Sequence, residues 1–343
     1  MAREITGKVV VITAASSGIG RATALAFARQ GANLVLASRE EEPLRQVAAE
    51  CEVVGAPAIV VPTDTRDEQA VNELARRAIE VFDRIDVWVN NAAVYMLGKF
   101  EDVPAKVFQD LYETNVFGVA NGCRAAIPHL RDSHGVLINV ASTASTMGIP
   151  YGSAYNSSKW AVRGLTDCLR EELREDGIEV VTVMPASIDT PLFDHAANYS
   201  GKALKPMDPV YPPEKVAGKI VASARRPRPE VMAGGAGYAS RVLHAVLPVG
   251  LFGRLMARHA RRTHFLQELS PPTEGNLEEP KPPFSIDAGW LQGRDGRGGS
   301  AGEGRRKAAL ATGAVGLLMA SVPAAFAVVR RRRRRGFLAA VGF

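Results

Sequence analysis

Residues 8–20, KVVVITAASSGIG, join a run of β-branched apolar residues to a small turn containing glycine. The run at 9–13 has almost no polar alternation, which predicts a strand covered by helices on both faces. The turn TAASSGIG at 13–20 follows it directly and opens a helix-length segment, GIGRATALAFARQGA, that stops near a glycine. Backbone amides and a helix N-terminus therefore face whatever sits at this turn, an arrangement that suits a pyrophosphate. On its own such a turn is equally well a purely structural one.

Working outward, the same alternation of apolar runs and amphipathic stretches continues to about residue 190. Strands are expected near 8–13, 33–38, 58–63, 86–90, 135–141 and 178–184, with helix-length segments between them. That order predicts an α/β chain with a doubly wound parallel sheet of the nucleotide-binding kind. The stretch PASIDTPLFDHAANYSGKALKPMDPVYPP at 185–213 reads as a long functional loop at the carboxyl edge of the sheet. A helix is expected from Pro213, a last strand within PEVMAGG at 229–235, and an amphipathic segment over 238–260. From 270 the chain turns rich in Pro and Gly. The expected organisation is a catalytic domain over 1–270, an extended linker over 271–304, and an apolar helix with an arginine-rich flank over 305–343.

A chain of 343 residues with 46% hydrophobic and 23% charged residues can bury a full core. Its net charge of +6 suggests nucleic acid until it is located. Residues 305–343 hold nine of the 42 basic residues and none of the 36 acidic ones, so the first 304 carry 33 against 36, a net −3. A mildly acidic body argues against nucleic acid as a partner. Cys51, Cys123 and Cys168 lie far apart, and the six histidines show no ligand spacing, so no metal site and no disulfide framework is expected. The N-terminus runs straight into the first strand without an apolar leader, which argues against a secretory signal, so a cytoplasmic folded domain is expected. Residues 308–329 contain no charge and are long enough to cross a bilayer, between Arg305, Arg306, Lys307 and the six arginines 330–335. Eight alanines and Pro323 weaken the drive to insert, and the arginines sit on the side opposite to the positive-inside expectation. Membrane association through this tail, as an anchor or an interfacial segment, is nevertheless the expected role.

The chemistry lies further along. Tyr155 and Lys159 stand four apart in YNSSK on an expected helix, so they share a face, and the Lys159 ammonium can reach toward the phenol and a cofactor ribose. A free tyrosine has a pKa of about 10. A nearby cation favours phenolate and lowers that value, which is what a proton shuttle needs. Ser142, at the end of the fifth strand, offers a hydroxyl to the same oxygen, and Asn115 follows a helical stretch. Taken singly, each has a bland alternative: a surface pair, a helix cap, a bulge residue.

Together these motifs resemble the short-chain dehydrogenase/reductase family, over about residues 5–235. The resemblance implies a Rossmann-type fold and a catalytic tetrad of Asn115, Ser142, Tyr155 and Lys159. It implies cofactor contacts at Thr13, Ser16, Ser17, Gly18, Ile19 and Gly20 in the first turn, and at Asp64 and Thr65 beside the adenine. NNAA at 90–93 resembles the segment that supports the cofactor and central strand, through Asn91 and Ala92. PASIDT at 185–190 resembles the segment near the carboxamide of nicotinamide, through Pro185, Ile188 and Thr190. Tyr155 and Lys159 also face the cofactor. Ala14, Ala93 and Ala186 each stand where the family has glycine; if position 14 is left-handed, the alanine costs on the order of 1 kcal/mol.

At the end of the second strand, ASRE places Ser38 and Arg39 where an acid would hold the two ribose hydroxyls of NAD. An arginine can fork a 2′-phosphate, so NADP(H) is favoured over NAD(H). The expected function is hydride transfer between NADP(H) and a carbonyl or secondary alcohol, on an apolar small-molecule substrate, and the resemblance implies a homo-oligomer packed through the helices of Asn115 and Tyr155. Met96, Leu192, Phe193 and Tyr199 are the candidates for an apolar substrate pocket. The alternative is a catalytically idle dinucleotide-binding sensor or membrane-recruited scaffold.

Overall fold

The β-branched run Val9–Thr13 forms strand β1 with all five residues buried. Around it the computed structural model, which describes residues 2–294, builds an alternating chain. Helix α1 (Gly18–Ala28), β2 (Asn33–Ser38), α2 (Glu41–Val53), β3 (Ala58–Pro62), α3 (Glu68–Phe82) and β4 (Val87–Asn90) complete the first half. The second half runs through β5 (Met96–Gly98), α4 (Ala105–Tyr112), α5 (Gly118–Ser133), β6 (Val136–Val140), α6 (Ser153–Glu172) and β7 (Glu179–Pro185). Then come β8 (Ala197–Tyr199), β9 (Lys202–Leu204), α7 (Pro213–Arg225), β10 (Glu230–Ala233), α8 (Gly235–Val246), α9 (Val249–Thr263) and β11 (Phe265–Leu269).

Seven strands form one sheet in the order β10-β7-β6-β4-β1-β2-β3, every pair parallel. The expected doubly wound fold is what forms. Chain order reverses between β1 and β4, so the crevice beyond their carboxyl ends is where a ligand belongs. Alternation along β1 supplies both layers. Val10 and Ile12 pack with Phe27 of α1, Leu44 of α2 and Ile220 of α7. Val9 and Val11 pack with Leu74 of α3, Ala126 of α5 and Val162 of α6. Each large aliphatic or aromatic side chain so buried contributes about 1.5–3 kcal/mol.

Local chemistry sets the element ends. Asp67 caps α3 by accepting from the amides of Gln69 and Ala70, and Asp83 ends that helix in the left-handed region at φ 61°. Pro248 stands between α8 and α9, splitting the amphipathic segment expected over 238–260 into two helices. The long loop after β7 carries two short strands: β8 pairs in parallel with β5, and β9 antiparallel with β11.

The Pro- and Gly-rich residues 271–294, expected to begin an extended linker, instead lie against the body, with Leu277 buried among Met96, Leu111 and Ala154. Arginine side chains and the carboxylate of Asp189 take up the segment's backbone groups, so it needs no regular secondary structure to be held. Among the described residues no helix is long and apolar enough to cross a membrane. The apolar stretch 308–329 and its arginine flank lie outside the described residues.

Candidate active site

The first turn is locked from behind. Thr13 Oγ1 accepts from the amides of Asn91 (2.9 Å) and Ala92 (3.1 Å) and donates to the Val89 carbonyl. Asn91 Nδ2 in turn donates to the Thr13 carbonyl at 3.1 Å. Ala14 sits at φ 50°, so the backbone keeps the left-handed conformation despite its side chain. At Gly20 an added Cβ would stand 2.0 Å from the Ala14 carbonyl oxygen, so only glycine lets helix and turn approach this closely. Thr13 and Gly20 therefore shape the turn without lining the cavity. Ser16, Ser17, Gly18 and Ile19 do line it.

That cavity runs along the carboxyl ends of the strands. At one end lie Ser38, Arg39, Asp64 and Thr65, in the middle Asn91 and Ala92, and at the other Pro185, Ile188 and Thr190. Arg66 grips the Asp64 carboxylate at 2.7 and 2.9 Å. Burial pushes that carboxyl up, but the Arg66 hydrogen bonds outweigh it and hold the group below its ordinary range. Arg39 is half-buried and donates to the carbonyls of Asn276 (2.8 Å), Leu277 (3.1 Å) and Glu278 (2.8 Å).

Ser142, Tyr155 and Lys159 line the same cavity. Ser142 caps the short turn after β6, its Oγ accepting from the Ala144 amide at 3.1 Å. Tyr155 and Lys159 project from α6, with the Lys159 Nζ 5.8 Å from the centre of the phenol ring and bonded to the Val140 carbonyl at 3.1 Å. Burial pushes the Tyr155 phenol up to about 12, against a hydrogen bond from the Ser142 hydroxyl that pulls it down. Burial pushes the Lys159 ammonium down to about 8. The lowered phenol expected from the Tyr155–Lys159 spacing is not found, because both groups are withdrawn from water and burial dominates at each.

Asn115 is fully buried behind the cavity, in a π-helical turn, Glu113–Phe117, that joins α4 to α5. Its Oδ1 accepts from the Val94 amide at 2.8 Å. Its Nδ2 donates to the Val94 carbonyl at 3.0 Å and to Ser158 Oγ at 3.2 Å. It ties the segment after β4 to the helix of Tyr155 and Lys159. Asn90 does similar work for the sheet: it accepts from Trp88 Nε1 and donates to Asn139, which donates to Thr166 on α6.

Leu192 and Phe193 line the cavity with Ile149 and Met207, as expected of the loop. Met96 and Tyr199 do not. Met96 is buried, and Tyr199 packs beside it in a satellite core over α4. Sequence reading missed Tyr95 and His264. The Tyr95 ring stands edge-on to Tyr155 with centroids 4.5 Å apart, and its hydroxyl meets His264 Nε2 at 2.7 Å. His264 Nδ1 faces the Lys205 carbonyl, so the imidazole donates there and accepts from Tyr95. Burial holds the His264 imidazole down at about 4.

The model of the family described as short chain dehydrogenase matches residues 8–199, the stretch that builds this turn, six of the seven strands of the sheet and the Tyr155 helix. The chain belongs to the short-chain dehydrogenase family. It is thus an oxidoreductase of a family that uses NAD(P) dinucleotides. It is 37% identical over 277 residues, 79% of this chain and 78% of the other, to the uncharacterized oxidoreductase YxnA of Bacillus subtilis. Among solved structures, this short-chain dehydrogenase superposes with TM-score 0.65 and 28% identity on one from Burkholderia phymatum in complex with NAD, covering 71% of this chain and 94% of that one. An alcohol dehydrogenase from Thermococcus sibiricus complexed with 5-hydroxy-NADP gives TM-score 0.59 and 28% identity, over 66% and 95%.

Proposed function

We propose that the protein is an NADP(H)-dependent dehydrogenase or reductase of an apolar carbonyl or secondary alcohol, with Tyr155 as its proton donor and acceptor. The observation that carries this reading is the meeting of Tyr155, Ser142 and Lys159 in the same cavity as Gly18, Asn91 and Thr190. The first turn fits a dinucleotide's pyrophosphate, since Gly18 at φ +52° and Gly20 leave backbone where other residues would put side chains. The nicotinamide, when bound, supplies or accepts the hydride. Tyr155 gives its proton to the substrate oxygen in reduction and takes it back in oxidation. Ser142 holds that oxygen by its hydroxyl, and Lys159 supplies positive charge where phenolate develops. Asn115 positions α6 from behind.

Preference for NADP(H) rests on Arg39 at the adenosine end, with Ser38 rather than an acid closing β2. An apolar substrate suits Ile149, Leu192, Phe193 and Met207 around Tyr155. A homo-oligomer suits Phe117, beside Asn115, and Trp160 on α6, which are 51% and 46% exposed. Steady-state turnover with NADPH and NADH over a panel of apolar ketones, aldehydes and secondary alcohols tests the reading. A preference for NADPH on at least one apolar pair is expected. Binding of dinucleotide without turnover of any would favour a sensor or scaffold.

A further inference from the structure

Residues 276–291 follow the cavity from one end to the other. At the adenosine end Arg39 donates to three consecutive carbonyls, Asn276, Leu277 and Glu278, while the Glu278 carboxylate meets Arg66 at 3.2 Å and Lys106 at 3.4 Å. At the glycine-containing turn the Phe284 carbonyl accepts from Arg21 at 2.8 Å and the Ser285 carbonyl from the Gly18 amide at 2.9 Å. Beside Ile188 and Thr190, the fully buried Asp189 carboxylate accepts from the amides of Ala288 (3.1 Å), Trp290 (3.1 Å) and Leu291 (2.9 Å). A buried carboxylate satisfied by three amides of one segment is costly to uncover, so the far end of the segment is firmly held. Asn276, Pro280, Lys281 and Phe284 line the cavity together with Ser17, Arg39, Asp64 and Asn91. The segment thus forms part of the cavity's wall.

We infer that residues 276–291 form an outer wall of the dinucleotide site, strapped at both ends, and that bound cofactor exchanges only when this strap lifts. The inference rests on the dinucleotide reading above. The order of contacts along the strap, adenosine end, pyrophosphate turn, nicotinamide end, is the order of the parts of a dinucleotide. Arg39, which lines the cavity, then serves two partners, the strap's carbonyls on one side and the adenosine ribose on the other. Enclosure also keeps water from the hydride-transfer end.

The test is release of NADPH from the full chain, followed by its fluorescence after mixing with excess NADP⁺, together with amide hydrogen exchange of 276–291. Two variants lift the strap: Asp189→Ala at the anchor, and a chain whose residues 276–285 are replaced by a Gly/Ser sequence of equal length. At least tenfold faster NADPH release is expected in both, and slower exchange of amides 276–291 when NADPH saturates the unaltered chain. Should Asp189→Ala fail to fold, the replaced strap and the exchange measurement still decide. Unchanged release in the variants that fold, or faster exchange of 276–291 on NADPH binding, overturns the wall while leaving the dinucleotide reading intact. Absence of NADPH and NADH binding to the unaltered chain overturns both.

Discussion

Replacing Ala14 with glycine should stabilise the protein. Ala14 is held at φ 50°, and its carbonyl oxygen and that of Thr13 are both approached by Asn91 Nδ2, at 3.4 and 3.1 Å, so the turn has little room to relax. A non-glycine residue in the left-handed region carries about 1–2 kcal/mol of strain. Glycine removes that strain but gives the unfolded chain more freedom, which costs about 0.4–1 kcal/mol. At the middle of each range the difference favours Ala14→Gly by about 0.8 kcal/mol. For a folded body of this size the gain corresponds to a rise in Tm of about 1–4 °C. Urea unfolding followed by far-ultraviolet circular dichroism measures it directly, as a higher midpoint at unchanged slope. A midpoint that stays put or falls would refute the strained-turn reasoning, since Ala14 would then be either relaxed or packed to advantage.

Gly20→Ala should act in the opposite direction. Its Cβ meets the Ala14 carbonyl oxygen at 2.0 Å and Asn91 Nδ2 at 2.8 Å, so a loss of about 1–3 kcal/mol and a weakened NADPH affinity are expected in the same urea and titration measurements. The depressed imidazole of His264 makes stability depend on pH. The unfolded histidine titrates at 6.5 and the folded one at about 4, so this contribution is complete above pH 6.5 and is lost as pH falls toward 4. The shift is worth on the order of 3 kcal/mol, and His264→Gln should flatten urea midpoints over that window. Trp160→Glu should lower the oligomeric mass seen by light scattering, because a charge would replace an aromatic ring on the α6 surface.

The sheet was legible in the sequence because its signals are local and repeated. Val9–Thr13, Val136–Val140 and Glu179–Pro185 each carry apolar runs that report burial on both faces, and the expected strands fall within a residue or two of the observed ones. Tyr155 and Lys159 were legible as a shared helix face and Ser142 as a strand end, and all three meet in the cavity. The π-turn holding Asn115 was not, because a shift in backbone hydrogen bonding leaves no pattern of side chains. Tyr95 and His264 lie 169 residues apart, and a lone histidine carries no sign of its partner. Met96 and Tyr199 were misplaced for the same reason: apolar character alone does not separate a pocket wall from a satellite core. The strap reads as linker in the sequence because backbone carbonyls and amides, which nearly every residue has, make most of its contacts. Its side chains follow no period, so Arg39 gave the only hint, and that hint pointed to a phosphate.

The most direct measurement is to compare Tyr155→Phe with the unaltered protein for NADPH affinity and for turnover of the best carbonyl from the substrate panel. If, as proposed, the phenol exchanges a proton with the substrate oxygen, NADPH affinity stays within a few-fold of the unaltered value and turnover falls at least a thousandfold. Turnover left near its original level would contradict it.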